Sequence, residues 1–288
     1  MPTTPKIFFV TGVSSGFGQA FATRFLQEGH TVVGTVRNPD DVAPFAKLAD
    51  GTPGTAAARR LDVTDDEAVF ATVAEVERTV GPIDVVIANA GYGHEGILEE
   101  SPMSELRRQF DVNVFGAVAT LKAALPFMRE RRHGHLMGVT SMGGLMTIPG
   151  LAYYHGSKFA LEAILETLAK EVKALGIAVT AIAPGSFRTD WAGRSMVRTE
   201  RSLPDYDELM NPVRANRRAA DGNQLGDPAK AAEAVLSIAG APDAPVHLVL
   251  GSDALRLVGS ARTEVDEEIE RWADLSRTTD IPDGAQIT

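Results

Sequence analysis

The sequence of 288 residues contains no cysteine. This absence excludes disulfides, thiolate zinc sites and cysteine nucleophiles, and it fits a reducing compartment. Basic residues are also fewer than acidic ones, with 28 lysines and arginines against 38 aspartates and glutamates, so the formal net charge is −10 and the pI is near 5.1. That balance argues against nucleic acid or an anionic membrane surface as a constitutive partner.

Long hydrophobic runs and linkers are lacking as well. The first apolar run, KIFFVT at Lys6–Thr11, is short and is followed by a glycine turn. It resembles neither a signal peptide nor a membrane span, so we expect a cytoplasmic protein without a membrane-spanning segment. No glycine/serine linker, composition break or internal repeat divides the chain, which favours a single domain over residues 1–288.

A strand, a glycine-rich turn and a helical pattern follow one another at the N-terminus. Lys6–Thr11 has the continuous apolar character of a strand buried on both faces. The turn Gly12–Gly18 (GVSSGFG) leads into a helical pattern that Gly29 stops. Such glycines let the backbone approach a diphosphate while the amides of the helix N-terminus point at it. An ordinary strand–helix turn is the alternative, but the placement favours a dinucleotide site.

Arg37 follows the second predicted strand, Thr31–Val36. In a dinucleotide fold, an acid at this point reads the ribose 2′-hydroxyl of NAD, whereas an arginine accommodates the 2′-phosphate of NADP. We interpret Arg37 as a selector for NADP(H) over NAD(H). The alternative is a solvated arginine, with Asp40 or Asp41 taking the ribose; those two aspartates better suit the first turn of the next helix.

Strand and helix patterns alternate along the chain, which predicts a Rossmann-like, doubly wound α/β fold: a seven-stranded parallel sheet with helices on both faces. The predicted strands are Lys6–Thr11, Thr31–Val36, Ala57–Leu61, Ile83–Asn89, His135–Ser141, Ile177–Ala183 and Val246–Leu250. The later predicted helices are Asp65–Val80, Met103–Arg131, Tyr154–Leu175 and Asp227–Ala239. Ligands of such sheets bind beyond the carboxyl ends of the strands.

Tyr154 and Lys158 are four residues apart, so they share one face of the predicted helix. A free tyrosine has a pKa of about 10, and a neighbouring ammonium group favours its ionised form. Ser141, at the end of a predicted strand, could hold a substrate oxygen. Together these groups are suited to moving a proton to or from a carbonyl or carbinol oxygen, although the pair alone is a weak signal.

Two regions interrupt the alternation. The connection from Thr189 to Gly226 is long and rich in charge, which predicts a substrate lid or a flexible segment around residues 189–226. The chain then extends beyond the last strand, over residues 252–288, with an acidic helical pattern and a polar tail.

The motifs together resemble the short-chain dehydrogenase/reductase family over roughly residues 6 to 250, in a form close to bacterial retinol- and steroid-dehydrogenase-like members. They are TGVSSGFG at Thr11–Gly18, LDVTD at Leu61–Asp65, ANAG at Ala88–Gly91, FDVNVFG around Asn113, Ser141, YHGSK at Tyr154–Lys158 and PGSFRT at Pro184–Thr189. The family pattern usually has asparagine where this chain has Ala88. Ser14 and Ser15 stand where some NADP-dependent members carry a basic residue.

The resemblance implies that Tyr154 is the general acid/base and that Lys158 lowers its pKa and contacts the nicotinamide ribose. It also implies that Ser141 holds the substrate oxygen and that Asn113 positions a water that relays protons to Lys158. The implied cofactor contacts are Gly12, Ser14, Ser15, Gly16, Phe17, Gly18, Arg37, Asp62, Val63, Asn89, Ala90, Gly91, Tyr154, Lys158, Pro184, Gly185, Phe187 and Thr189.

The predicted substrate pocket is apolar and comprises Met142, Leu145, Met146, Phe187, Trp191 and Met196. Methionine adapts to irregular apolar shapes, so we expect a hydrophobic ketone, aldehyde or alcohol as substrate. Tyr153 lacks a lysine four residues later and is expected to pack or to line the pocket. The spacing of His94, His133, His135 and His155 indicates no metal site.

Three functions fit these patterns. The favoured one is NADPH-dependent reduction of a hydrophobic ketone or aldehyde. The same groups could serve an NAD-dependent secondary alcohol dehydrogenase, and a non-catalytic NADP-sensing protein would keep the fold without the chemistry. Family members commonly pair through helices matching Met103–Arg131 and Tyr154–Leu175, so a homo-oligomer, dimer or tetramer, is expected.

Overall fold

The described part of the chain comprises residues 4–191, 193, 195–220, 222–241 and 243–281 of a computed structural model. Three residues of the predicted lid (192, 194 and 221) and the end of the predicted C-terminal extension (282–288) lie outside the described residues.

Seven parallel strands form the main sheet, as predicted, in the order β3-β2-β1-β4-β6-β7-β9. The strands are β1 Ile7–Thr11, β2 Thr31–Val36, β3 Thr55–Arg60, β4 Val85–Ala88, β5 Gly93–Glu95, β6 Gly134–Val139, β7 Ile177–Pro184, β8 Met196–Arg198 and β9 His247–Leu250. The short strands β5 and β8 pair with each other in a separate two-stranded parallel sheet. Strands β2 and β3 are added on one side of β1, and the later strands are added on its other side, beginning with β4. Folds of this type form a ligand crevice at the point between β1 and β4 where the strand order changes direction.

Helices cover both faces of the sheet. They are α1 Gly16–Gln27, α2 Val42–Ala46, α3 Asp66–Thr79, α4 Met103–Phe110, α5 Ala117–Arg131, α6 Ala152–Val172, α7 Asp207–Ala220, α8 Pro228–Ile238, α9 Ser252–Arg271 and α10 Ala273–Arg277. One core cluster joins the sheet to α3, α5 and α6 through Val69, Leu121 and Leu161. A second cluster joins it to α1 and α8 through Phe21 and Val235. The two buried cores explain why the strands read as continuous apolar runs.

The predicted helix Met103–Arg131 is interrupted in the structure. A π-helical turn at Asp111–Gly116 separates α4 from α5. The sequence pattern could not show this because it holds neither proline nor glycine between 103 and 115. Helices widened in this way often occur at functional sites, and this turn carries the buried side chain of Asn113.

By length and composition alone, Met103–Arg131 could cross a membrane, and half of its most apolar stretch is buried inside the protein. The buried residues of α5, which include Leu121, Ala124 and Met128, belong to the core on the α3 side of the sheet. Core helices commonly combine this length and apolarity with burial. Packing against α3 therefore accounts for the composition of the segment.

The region predicted as a lid has secondary structure of its own. It contains β8, which is held by β5, and the helix α7. We call β5, β8 and α7 the cap. The predicted C-terminal extension begins with the 20-residue helix α9, and Asp253, Arg256 and Leu257 of its first turns reach the cavity described next.

Candidate active site

A cavity of about 950 Å³ lies at the carboxyl ends of the strands. Its walls include residues that directly follow β1, β2, β4, β6 and β7, namely Gly12, Arg37, Asn89, Thr140 and Gly185. The turn that follows β1 lies at one end of this cavity, and Glu95 and Arg198 of the cap contribute to its wall. The convergence of strand ends predicted from the sequence is therefore present in one continuous space.

The glycine turn is locked to β4 by hydrogen bonds. The Asn89 side-chain amide donates to the carbonyl oxygens of Thr11 at 2.8 Å and of Gly12 at 3.0 Å. A β-carbon at Gly18 would collide with the Gly12 carbonyl oxygen and would lie 2.6 Å from Asn89 Nδ2. Gly18 does not line the cavity; it lets α1 pack tightly against the turn, which is a different role from a cofactor contact.

The start of α1 fits the diphosphate of a dinucleotide. Ser15 is the N-cap residue, and within the described structure its side chain makes no capping hydrogen bond to the first turn. The amide groups of that turn are thus available to an anion. Gly12 and Gly16 have φ values of 71° and 57°, which are accessible to glycine at little cost. Ser14, Ser15, Gly16 and Phe17 all line the cavity.

Of the three candidates for contacting the adenosine ribose, Arg37 and Asp41 lie at the cavity wall and Asp40 does not. Asp62 and Val63 line the cavity as well. The backbone N–H of Thr64 holds the pKa of Asp62 below its usual range, and its hydroxyl and the positive charge of Arg37 act in the same direction. Asp62 accepts hydrogen bonds from the Thr64 amide at 3.0 Å and hydroxyl at 2.8 Å. Its carboxylate is thus engaged by Thr64, whereas Arg37 stays exposed at the end of β2.

Lys158 is buried at the centre of the cavity wall. Its ammonium group donates to the carbonyl oxygen of Val139 at 2.8 Å and lies 5.8 Å from the centroid of the Tyr154 ring. Burial lowers the pKa of Lys158 to about 8, although the charge of Glu162 acts in the opposite direction. The lysine is thus close to its transition between charged and neutral forms near physiological pH.

Tyr154 has a raised pKa, and the lowering of this pKa by Lys158 that the resemblance implies stays a prediction. Burial raises the pKa of the phenol to about 12, and a hydrogen bond with the Ser141 side chain only partly opposes this. Leu151 and Met196 pack with Tyr154, and the Trp191 ring lies 5.1 Å from the Tyr154 ring. This apolar cover outweighs the neighbouring ammonium group because it disfavours the phenolate.

Ser141 precedes a short 3₁₀ turn at Met142–Gly144, and its hydroxyl accepts a hydrogen bond from the Gly143 amide at 3.0 Å. The same hydroxyl is the one that engages the Tyr154 phenol. The structure therefore brings Ser141, Tyr154 and Lys158 together as predicted.

Asn113 lies behind this set and does not line the cavity. Its Oδ1 accepts from the Tyr92 amide at 3.1 Å, and its Nδ2 donates to the Tyr92 carbonyl at 2.9 Å and to the Ser157 hydroxyl at 3.2 Å. These contacts position the chain at Gly91, where a β-carbon would lie 3.7 Å from Lys158 Nζ. Asn113 is thus a positioning residue; its role in a water relay stays a prediction.

The other predicted cofactor contacts that line the cavity are Asn89, Ala90, Gly91, Pro184, Gly185, Phe187 and Thr189. Of the predicted substrate-pocket residues, Met142, Met146, Phe187, Trp191 and Met196 line it as well. Leu145, which directly follows the 3₁₀ turn, does not line the cavity.

Further cavity residues were missed by the sequence patterns. The apolar ones include Ile148, Leu151, Val197 and Leu225, and the charged ones include Glu95, Arg198 and Arg217. Charged side chains remain a minority of the lining, so the apolar character expected of the pocket is present. Apart from Arg217 on α7, the missed residues lie on three-residue strands or outside the helices and strands, where no periodic pattern can form.

Tyr153 and His155 make hydrogen bonds that hold neighbouring parts of the chain in place beside the site. The Tyr153 hydroxyl donates to the Ser101 carbonyl at 2.7 Å, and its ring stacks on His94. His155 Nδ1 donates to the Gly143 carbonyl at 2.7 Å, and its Nε2 accepts from the Ile148 amide at 3.1 Å. Among the described residues, no group of three or more histidine or acidic side chains could hold a metal ion.

The model of the short chain dehydrogenase family matches residues 6–198 of the chain. An oxidoreductase of Botryotinia fuckeliana, BOA17, is 35% identical over 94% of this chain and 98% of its own length. The NADPH-dependent 3-dehydrocapnine reductase of Ornithobacterium rhinotracheale is 35% identical over 65% of this chain and 67% of its own. The crystal structure of a short-chain dehydrogenase from Streptomyces avermitilis has a TM-score of 0.88 at 36% identity, covering 96% of this chain and 100% of that one.

Proposed function

This chain belongs to the short-chain dehydrogenase/reductase family and is an NAD(P)-dependent oxidoreductase, and on that premise we propose that it reduces a hydrophobic ketone or aldehyde with NADPH. The observation that carries the proposal is the arrangement of Tyr154, Ser141 and Lys158, which line the same cavity as the glycine turn.

The proposed acid is Tyr154. With a pKa raised to about 12, the phenol keeps its proton at neutral pH and can give it to a carbonyl oxygen as charge develops there. The Ser141 hydroxyl holds the same oxygen and orients the carbonyl against the phenol. The cofactor, when bound, supplies the hydride that reduces the carbonyl carbon.

Lys158 stabilises the phenolate that remains after proton transfer. In its charged form, the ammonium group 5.8 Å from the ring centroid favours the ionised phenol. The apolar cover from Leu151, Trp191 and Met196 keeps bulk water away, and this strengthens the electrostatic interaction. The burial that raises the pKa of the resting tyrosine thus also increases the influence of the lysine during the reaction.

The preference for NADPH is supported by Arg37. It is exposed at the cavity wall after β2, while the carboxylate of Asp62 is engaged by Thr64. One relative is named as an NADPH-dependent reductase. Asp41, which also lines the cavity, supports the second candidate function, an NAD-dependent secondary alcohol dehydrogenase using the same catalytic set.

A fluorescence titration with NADPH and NADH tests the cofactor preference. We expect wild type and the control Arg60→Ala to bind NADPH at least about tenfold more tightly than NADH, a difference of about 1.4 kcal/mol. Arg37→Ala should lose this margin. Arg60 is a suitable control because it is exposed at the end of the adjacent β3 and does not line the cavity. Equal or tighter binding of NADH by wild type would favour the dehydrogenase.

A panel of hydrophobic ketones with NADPH then tests the reaction. Turnover that depends on Tyr154 would support the reductase. Tight NADPH binding with no oxidation of NADPH by any ketone or aldehyde would favour the third candidate, a non-catalytic sensor.

We also propose that the protein is a homo-oligomer. Large apolar side chains are exposed on the helices expected to pair, namely Met103 and Phe115 on the α4–α5 segment and Phe159 and Ile164 on α6. Their burial against a second copy would remove apolar area from water. Sedimentation should give a dimer or tetramer, and Phe115→Glu should shift it toward monomer; a clean wild-type monomer would contradict the proposal.

A further inference from the structure

The cap contains an ionic cluster around a buried carboxylate at the cavity wall. The Glu95 carboxylate, 3% exposed, lies 3.1 Å from Arg214 Nε, 3.2 Å from Arg217 Nη1 and 3.9 Å from Arg198 Nε. We call these four residues the cap cluster. Glu95, Arg198 and Arg217 line the cavity, whereas Arg214 does not.

The cap cluster has an excess of positive charge. Arg214 and Arg217 alone outnumber the single carboxylate of Glu95. Two neighbouring acids of the described residues, Glu100 and Asp207, pair with Arg201 instead. Holding guanidinium groups at a low-dielectric wall is costly unless negative charge compensates them, and the protein as a whole is strongly acidic. The local excess thus points to an anion that enters from the cavity.

Arg217 has donors to offer such an anion. Its Nη2 donates to the Pro149 carbonyl at 2.9 Å. Its Nη1 is buried near Glu95 but makes no aligned hydrogen bond to any described residue. A guanidinium carries five N–H donors in a fixed fork that matches the oxygens of a carboxylate, sulfonate or phosphate.

The cluster is also close to the catalytic tyrosine. A β-carbon at Gly150 would lie 3.6 Å from Arg217 Nη1, and the next residue, Leu151, packs on Tyr154. Met196, two residues before Arg198 on β8, packs on Tyr154 as well. Burial lowers the pKa of His155, and the charge of Arg217 contributes to this. One layer of apolar side chains thus separates the reacting phenol from the guanidinium groups.

We propose that Arg217 binds an anionic group of the substrate at the end remote from the reacting carbonyl. The substrate class is then an oxo compound with an apolar body and a terminal carboxylate, sulfonate or phosphate. This inference rests on the proposed reductase function and narrows it. It also explains why the apolar pocket ends in arginines rather than in further apolar residues.

A purely structural role makes a different prediction. If the cluster only fastened α7 to β5, Arg214 and Arg217 would be equivalent, since both pair with Glu95 and both donate to a backbone carbonyl. Arg214→Gln is therefore the matched control for Arg217→Gln. Each removes one charge and one bond to the cap, but only Arg217 faces the cavity.

The test uses the keto acids 5-oxohexanoate, 7-oxooctanoate and 9-oxodecanoate, each against its methyl ester, with NADPH and the full-length protein. We expect wild type and Arg214→Gln to have kcat/KM at least about tenfold higher for the acid than for the ester at one chain length, as for one charge-assisted hydrogen-bonded contact. Arg217→Gln should reduce this ratio to below about threefold through KM, and Arg217→Lys should restore part of it.

The contradicting outcomes are distinct. A wild-type preference for the esters, or an equal loss of activity on acid and ester in Arg217→Gln, would overturn the inference and leave the reductase standing. The series 4-acetylbenzoate, 4-acetylbenzenesulfonate and 4-acetylphenyl phosphate identifies which anion is preferred. Absence of turnover with every acid and every ester would instead count against the reductase.

A binding measurement tests the anion site without turnover. The chain has two tryptophans, Trp191 at the cavity and the exposed Trp272, so Trp272→Phe leaves Trp191 as the only tryptophan reporter. We expect its fluorescence to respond to 7-hydroxyoctanoate at lower concentration than to the methyl ester, with the difference lost on Arg217→Gln. An equal response to acid and ester would overturn the inference.

Discussion

The two ends of the cavity are stabilised by different interactions. At the cofactor end, main-chain groups and glycines dominate: Asn89 clamps the carbonyls of Thr11 and Gly12, and Gly18 admits close packing. At the cap end, side chains dominate: Glu95 joins β5 to α7 through Arg214 and Arg217. The first end is continuous with the seven-stranded sheet, whereas the second rests on a pair of three-residue strands and one helix.

This difference distinguishes residues that the fold constrains from residues that can change when a different substrate is bound. This end tolerates little change at Gly18, because a β-carbon there would collide with the Gly12 carbonyl oxygen. Side-chain ion pairs can be exchanged without disturbing the sheet. Substitutions at the cofactor end should thus act on every substrate, while those at the cap should act selectively.

The largest expected effect is on kcat and concerns Tyr154, which lies where the cofactor end and the cap end of the cavity meet. Tyr154→Phe removes the proton donor while keeping the ring that packs on Leu151 and Trp191, so kcat should fall by about 10²- to 10⁴-fold with NADPH binding retained. Tyr153→Phe is the control; it loses one hydrogen bond to Ser101 and should keep turnover. Unchanged turnover by Tyr154→Phe would refute the catalytic assignment.

The next effect is specific to the cofactor end. Gly18→Ala would force a methyl group against the Gly12 carbonyl and Asn89 Nδ2, so the turn must shift. We expect NADPH affinity to fall by about 100-fold, or nearly 3 kcal/mol, measured by fluorescence titration. Gly259→Ala is the control, since a β-carbon on that helical glycine meets no described atom within 4 Å and should be neutral or stabilising. Similar NADPH affinities in the two variants would contradict this role of Gly18.

A smaller and selective effect is expected at the cap. Glu95→Gln removes the carboxylate that compensates Arg214 and Arg217, so the cap should open more often. For a neutral ketone we expect KM to rise about tenfold and proteolysis within residues 189–226 to accelerate, with NADPH affinity unchanged. Glu75→Gln, which alters an ion pair between α3 and Arg59 of β3 outside the cap, should do neither. A parallel loss of NADPH affinity would show that the two ends are not independent.

The sequence predicted the cofactor end well because its signals are local. A glycine turn between strand and helix, a residue after each strand, and the Tyr154–Lys158 spacing each follow from a few adjacent residues. The parallel sheet and its strand number were confirmed for the same reason. Individual strand ends differ from the predicted ones by at most two residues, as for β4, which is Val85–Ala88 rather than Ile83–Asn89.

The cap could not be predicted in this way. Glu95 meets Arg214 and Arg217 across 119 and 122 residues of chain, and three-residue strands have too few positions to show a period. The π-helical turn at Asp111–Gly116 lies within a continuous helical pattern. The raised pKa of Tyr154 depends on packing by Trp191 and Met196, which are distant in sequence. Each miss is a tertiary contact that leaves no local trace.

The smallest expected effect is a dependence of kcat/KM on pH through the ionisation of Lys158. Because burial lowers the pKa of Lys158 to about 8 and raises that of Tyr154 to about 12, a rise in pH removes the lysine charge first. A plot of log kcat/KM for reduction against pH should thus bend downward near pH 8, and kcat/KM should be about fourfold below its low-pH plateau half a unit above the bend. Lys158→Arg, which keeps its charge to a higher pH, should move the bend upward.

Unfolding cannot mimic this bend. The pKa of Lys158 is lower in the folded protein than its ordinary value of 10.5. Between pH 8 and 10.5, therefore, the unfolded chain binds more protons at this residue, and its contribution to the free energy of unfolding rises with pH. Activity should decline while this contribution increases, which a denaturant titration at pH 7.5 and 9 can follow alongside the rate. A bend that stays in place in Lys158→Arg would assign it to another group.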